Sequence, residues 1–135
     1  MTKRVYPKFR KAAVTGLAAN VLTGGVKIAL IDTGAYTFDV SHEFLSDVPS
    51  GARLSISGAL SGKSVGDDAS FQSANARFES VTSVSAEALL WFIDTGSPGS
   101  SRLIAFQDAD VTGLPVTPAG ASYNVIMDSG GWFFF

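Results

Sequence analysis

The sequence of 135 residues has no cysteine. That excludes a disulfide framework and a thiolate metal site, and it fits a reducing compartment. There is one histidine, His42, so a zinc site, which needs several such ligands, is not expected. No apolar run approaches the ~18 residues of a membrane span. The first eleven positions are basic, but 12–21 carry Thr15, Gly16 and Asn20 and make a poor signal-peptide core. Charge is sparse too. Charged residues are 16% of the chain and hydrophobic ones 46%, a balance that points to surface covered by partners. The length is enough to bury a core without staples.

What the chain has instead is glycine, 14 residues of it, with abundant Ser, Thr and Val. That mixture predicts short strands joined by turns. The most apolar stretch is 86–96, Ala-Glu-Ala-Leu-Leu-Trp-Phe-Ile-Asp-Thr-Gly. Ala88, Leu90 and Phe92 fall on one face of a strand and Leu89, Trp91 and Ile93 on the other. Both faces are apolar, so this strand is expected to be covered on both sides. The stretch 26–34, Val-Lys-Ile-Ala-Leu-Ile-Asp-Thr-Gly, closes on the same four residues, 62 positions earlier.

A helix is expected over 6–22, with Pro7 in its first turn and Phe9, Ala13, Leu17 and Val21 on one face. Thr23-Gly24-Gly25 would stop it. A short helix is expected over 41–48, capped by Ser41 and ended by Pro49. Alternation over 52–60 predicts a half-buried strand with Leu54 and Ile56 inward. A polar loop follows over 61–68. One or two strands surround Phe71 and Phe78, with a bend near Asn75. The stretch 90–106 reads as a hairpin, 108–120 as a loop, and 122–127 and 132–135 as closing strands. The expected fold is mainly β: an antiparallel sandwich or barrel of about six to eight strands with an N-terminal helix. Residues 1–24 read as a basic arm and helix, and 25–135 as a single β-rich domain.

Charge is unevenly placed. Lys3, Arg4, Lys8, Arg10 and Lys11 are half of the ten basic residues, which leaves five basic against twelve acidic residues, −7, in the remainder. A basic segment on an acidic body can bind nucleic acid or another acidic surface, a second copy included. At the other end, Trp132, Phe133, Phe134 and Phe135 are four consecutive large apolar residues. They are expected either to be buried in the chain's own body or to dock on a neighbour.

Several motifs invite chemistry. Asp-Thr-Gly after apolar residues, at Asp32 and at Asp94, resembles the active-site turn of aspartic proteases, in which two carboxylates share a proton. The alternative is a strand-ending turn in which Asp accepts backbone N–H groups and Gly supplies a positive φ. The run 57–64, Ser-Gly-Ala-Leu-Ser-Gly-Lys-Ser, resembles a phosphate-binding loop but is one residue short and leads into Asp67-Asp68. A polar hairpin loop is the plainer reading. His42 beside Glu43 reads as a surface or packing residue. Asp67, Asp68, Asp108 and Asp110 read as loop acids rather than an ordered calcium site. Neither a catalytic residue, a metal ligand nor a cofactor is expected.

Tyr6-Pro7-Lys8-Phe9-Arg10-Lys11-Ala12, the run 26–36 ending Ile-Asp-Thr-Gly-Ala-Tyr, and His42-Glu43-Phe44-Leu45-Ser46-Asp47-Val48-Pro49 resemble a family of small virion structural proteins of tailed bacteriophages. So do 87–96 and Gly113-Leu114-Pro115-Val116-Thr117-Pro118. The resemblance covers most of the chain in order, and its motifs are structural rather than catalytic. It implies a non-enzymatic virion component made in the bacterial cytoplasm. The first expectation is a capsid decoration (cement) protein, a homo-oligomer bound to the major capsid protein at the capsid surface. A tail or head–tail connector protein is the alternative, and an aspartic protease the enzymatic one. Neither membrane nor nucleic acid is among the expected partners. Lys3, Arg4, Lys8, Arg10, Lys11, Trp132, Phe133, Phe134 and Phe135 are the candidate docking residues.

Overall fold

A computed structural model describes residues 3–16, 20–78, 85–108, 123–127 and 131–135. In chain order these form β1 (Lys3–Val5), α1 (Pro7–Val14), β2 (Gly25–Ile31), β3 (Arg53–Ile56), β4 (Ser64–Val65), β5 (Ser70–Gln72), β6 (Ala76–Phe78), β7 (Ala88–Asp94), β8 (Arg102–Gln107), β9 (Tyr123–Val125) and β10 (Phe133–Phe134). The fold is mainly β, and every pairing is antiparallel. The main sheet runs β1-β8-β7-β2-β3, a second runs β10-β5-β4, and β6 pairs with β9. The two larger sheets meet where β1 lies alongside β10.

The apolar run at 88–93 becomes the middle strand of the main sheet. Every residue of β7 except Asp94 is buried, so the expected cover on both faces is present. Trp91 meets Trp132 and Phe133 edge-on, with ring centroids 5.6 and 5.1 Å away. Burying side chains of this size contributes about 1.5–3 kcal/mol each. Trp91 Nε1 is buried with no hydrogen-bond partner among the described residues, and an unsatisfied buried N–H costs about 1–3 kcal/mol, which offsets much of that gain. Trp132 avoids the cost by donating Nε1 to Ser73 Oγ at 2.7 Å.

Four expectations are corrected. The helix ends at Val14, not near residue 22. Thr15 donates both its N–H and its hydroxyl to the Lys11 carbonyl, and Gly16 turns left-handed at φ +79°, which closes the helix. Phe9 and Ala12 are its buried residues, and Ala13 is exposed. The expected helix at 41–48 is only a 3₁₀ turn over Leu45–Asp47. Ser41 does not cap it; the Asp47 carboxylate reaches back to the Glu43 and Phe44 N–H groups at 2.8 and 3.1 Å. In β3, Ile56 is exposed while Ser57, just beyond the strand, is buried. The Ser57 hydroxyl accepts the Ile28 N–H at 2.9 Å, and a bulge shifts the β2–β3 register between Leu30 and Ile31. The loop at 61–68 contains β4. The strands around Phe71 and Phe78, the 90–106 hairpin and the two closing strands are present. The bend near Asn75 is held by Met127 N–H donating to Asn75 Oδ1 at 3.0 Å. Residues 109–122, including Asp110 and 113–118, lie outside the described residues.

Candidate docking surface

The basic residues of the first eleven positions do not hang free of the body. Lys3 and Arg4 belong to β1, which pairs with the end of β8 in the register Arg4↔Phe106. Lys8, Arg10 and Lys11 ride on the exposed side of α1. Tyr6 and Phe9, between them, are buried and fix the segment to the core. The loop at 36–42 folds over this base. Tyr6 and Tyr36 share a hydroxyl hydrogen bond of 2.8 Å, and Tyr36 bonds His42 Nδ1 at 2.9 Å. His42 is thus a packing residue. Burial pushes the Tyr6 hydroxyl far up, and it pushes Tyr36 up to about 12; both stay neutral hydroxyls.

The cations divide into two groups. Lys8 lies 3.8 Å from Glu43, Arg102 3.0 Å from Glu43, and Lys27 2.8 Å from Asp94. Lys63 donates to the Gly24 carbonyl. In contrast, Lys3, Arg4, Arg10 and Lys11 meet no acid among the described residues. Arg4 instead stacks over the Phe38 ring at 4.8 Å, a contact of about 0.5–1 kcal/mol at an exposed site.

The C-terminal aromatics divide as well. Gly131, two residues before β10, lies at φ +100°, and a Cβ there would sit 2.8 Å from the Phe71 carbonyl oxygen. Only glycine fits. Trp132 and Phe133 are then buried in the chain's own core, where Phe133 stacks on Phe71 at 5.4 Å. Most of the surface of these two expected docking residues is spent inside the chain, although Phe133 still lines a groove beside α1. Phe134 is 55% exposed, and Phe135 stacks on Phe9 at 5.7 Å with part of its surface outward.

These residues converge on two grooves that flank α1. The first, about 420 Å³, brings Lys3, Arg4 and Arg10 together with Phe38, Val40 and Phe134. The second, about 510 Å³, is lined by Phe9, Ala13, Val14, Val21, Leu22, Val65 and Phe135 with Arg10 and Asn20. Arg10 is common to both. Lys8 and Lys11 line neither. Sequence reasoning missed Phe38, Val40, Val14, Leu22 and Val65. They are single apolar residues in loops, at a helix end or on a two-residue strand, where no periodicity marks them.

The other candidates resolve into architecture. Asp32 and Asp94 stand at opposite ends of one ladder, because Gly25 pairs with Asp94 and Ile31 with Ala88. The seven residues of β2, at about 3.3 Å each, put the two carboxylates roughly 20 Å apart, so within one chain they cannot share a proton. Each accepts the N–H of its own turn glycine, Gly34 at 2.9 Å and Gly96 at 3.0 Å. In the phosphate-loop-like run, Ser57 and Lys63 are engaged with β2 and Gly24. No cluster of three or more potential metal ligands occurs among the described residues. No helix among them is long and apolar enough to cross a membrane. No protein-family model matches the chain, and no curated protein matches it.

Proposed function

We propose that this chain is a virion structural protein of a tailed bacteriophage, and within that class a capsid decoration protein gripping the major capsid protein. The role is binding, not catalysis, and it is exercised as a homo-oligomer on the capsid surface. One observation carries the docking part of this reading. Lys3, Arg4 and Arg10 surround an aromatic-lined groove and meet no acid among the described residues, on a chain whose remainder is acidic. Cations so placed beside exposed aromatic surface suit an acidic partner surface. The phage setting rests on the ordered resemblance of 6–12, 26–36, 42–49 and 87–96.

Removing residues 1–11 is a poor test, because it also removes Tyr6 and Phe9 from the core. Charge reversal is cleaner. The K3E/R4E/R10E variant, mixed with phage shells that lack the protein, should lose most of its particle occupancy in cryo-electron microscopy. Occupancy equal to that of the unaltered chain sinks the reading. Density on the tail or at the portal instead of the shell would move the protein to the connector class.

A further inference from the structure

We propose that the two grooves beside Arg10 form one docking channel for a polarised partner segment, acidic at one end and aliphatic at the other. This rests on the docking reading above but not on the virion setting. The two halves of the channel differ in kind. The first holds three cations around Phe38, Val40 and Phe134. Arg4 sits over the Phe38 ring and lines the groove, where its planar guanidinium suits a carboxylate. Among the described residues lining the second, Arg10 is the one charged side chain. Around that groove Val14 is 83% exposed, Leu22 49% and Val65 40%. Exposed aliphatic side chains gathered round one concavity mark an interaction surface.

Charge complementarity selects the occupant. A uniformly acidic segment would leave its charges desolvated over the aliphatic half. A uniformly apolar one would cover Lys3, Arg4 and Arg10 without pairing them. Only a segment whose charge is confined to one end satisfies both halves. A second copy meeting this face two-fold would set the Lys3, Arg4 and Arg10 cluster against its own counterpart, a like-charge contact that disfavours it. Nucleic acid would gain phosphate contacts at the first half but nothing at the second. It would also face repulsion from the acidic remainder of the chain.

The test uses the purified full chain and a short fluorescein-labelled peptide, a run of glutamates followed by a run of leucines, read by anisotropy. Saturable binding is expected. It should weaken roughly tenfold or more in R4E/R10E and also in V14S/L22S. All four positions are exposed, so thermal melts should show the fold retained. Added salt should weaken binding of the unaltered chain and do little to what remains in R4E/R10E. A peptide with lysine in place of glutamate should not bind. The proposal is overturned by absent binding, by equal binding of the lysine peptide, or by indifference to either double variant. It is also overturned by tighter binding of a single-stranded DNA oligomer, or by a self-association of the chain that V14S/L22S abolishes. Peptide binding together with failure to bind shells would leave the channel standing and remove only the virion reading.

Discussion

The turns at 31–34 and 93–96 carry the same four residues, Ile-Asp-Thr-Gly, at opposite ends of the same pair of strands. In each, the Asp carboxylate accepts the N–H two residues on. That shared contact is local, and the sequence alone dictates it. Everything else differs. At the first turn, Thr33 donates its N–H and its hydroxyl to Glu87 Oε1, both at 3.0 Å, and Ser85 donates to the other oxygen. At the second, Thr95 N–H donates to the buried Ser101 hydroxyl at 3.1 Å, and Lys27 pairs with Asp94 across the strand. Gly96 is left-handed at φ +89°, whereas Gly34 is not among the positive-φ glycines. The expectation that glycine supplies a positive φ therefore holds at the second turn and is corrected at the first. One motif gives one local bond, and the surroundings decide what each turn leans on.

The contrast is broken most strongly at Glu87. Replacing it with Ala strands the Thr33 N–H and two hydroxyls at once. The expected loss is about 1–3 kcal/mol of unfolding free energy, read as a lower urea midpoint with an unchanged slope. Glu87→Gln keeps an acceptor and should recover part of it. If Glu87→Ala costs no more than an exposed-surface change, the first turn is held by its local bond alone.

The backbone contrast gives a smaller effect. Gly96→Ala forces a side chain into left-handed geometry and should cost about 1–2 kcal/mol. Gly34→Ala meets the Asp32 carboxylate, its Oδ1 3.1 Å from the new Cβ, and it stiffens the unfolded chain. Its expected cost is under about 1 kcal/mol. Equal costs in thermal melts would show that the two glycines are not conformationally distinct.

The same division explains what the sequence discloses. The buried strand at 88–94, the hairpin after it and the turn-closing aspartates are legible because pattern and bond lie within a few residues. The helix is misjudged because its end depends on Thr15 and Gly16 rather than on the four-residue apolar spacing that continues to Val21. In β3 Leu54 packs on the core but Ile56 is exposed, because a bulge and the Ser57–Ile28 bond outweigh alternation at the strand's end. At the candidate docking surface, Lys3, Arg4 and Arg10 are visible as a charge cluster. The walls beside them, Phe38 and Val40 in one loop and, reached only through Arg10, Leu22 and Val65, come from three separate segments, and no local signal joins them. Trp132 and Phe133 are visible as an aromatic run, yet only the packing of Trp91 and Phe71 shows that most of their surface is occupied.

The smallest and most discriminating effect lies at Asp94. Hydrogen bonding from Lys27, then from the Gly96 N–H, holds its carboxyl below the ordinary carboxylate range. Glu87 is lowered differently. Burial alone would raise it, but donation from Ser85 and Thr33 outweighs that. A carboxyl lowered in the folded chain stabilises fully above its unfolded value, near pH 4, and loses that contribution as pH falls through the folded value. Asp39, Asp47 and Asp68, lowered by bonds within their own loops, share this acid sensitivity. Wild type and variants must therefore be compared across the same acid range. Lys27→Met should cost less than about 1 kcal/mol near neutral pH. It should also flatten the acid limb slightly and remove part of the salt dependence. Glu87→Gln should flatten the acid limb too but leave the salt dependence intact, since its partners are hydroxyls and a backbone N–H rather than a cation. An identical response to salt in the two variants would mean that the turns differ in their neighbours but not in the physics that holds them.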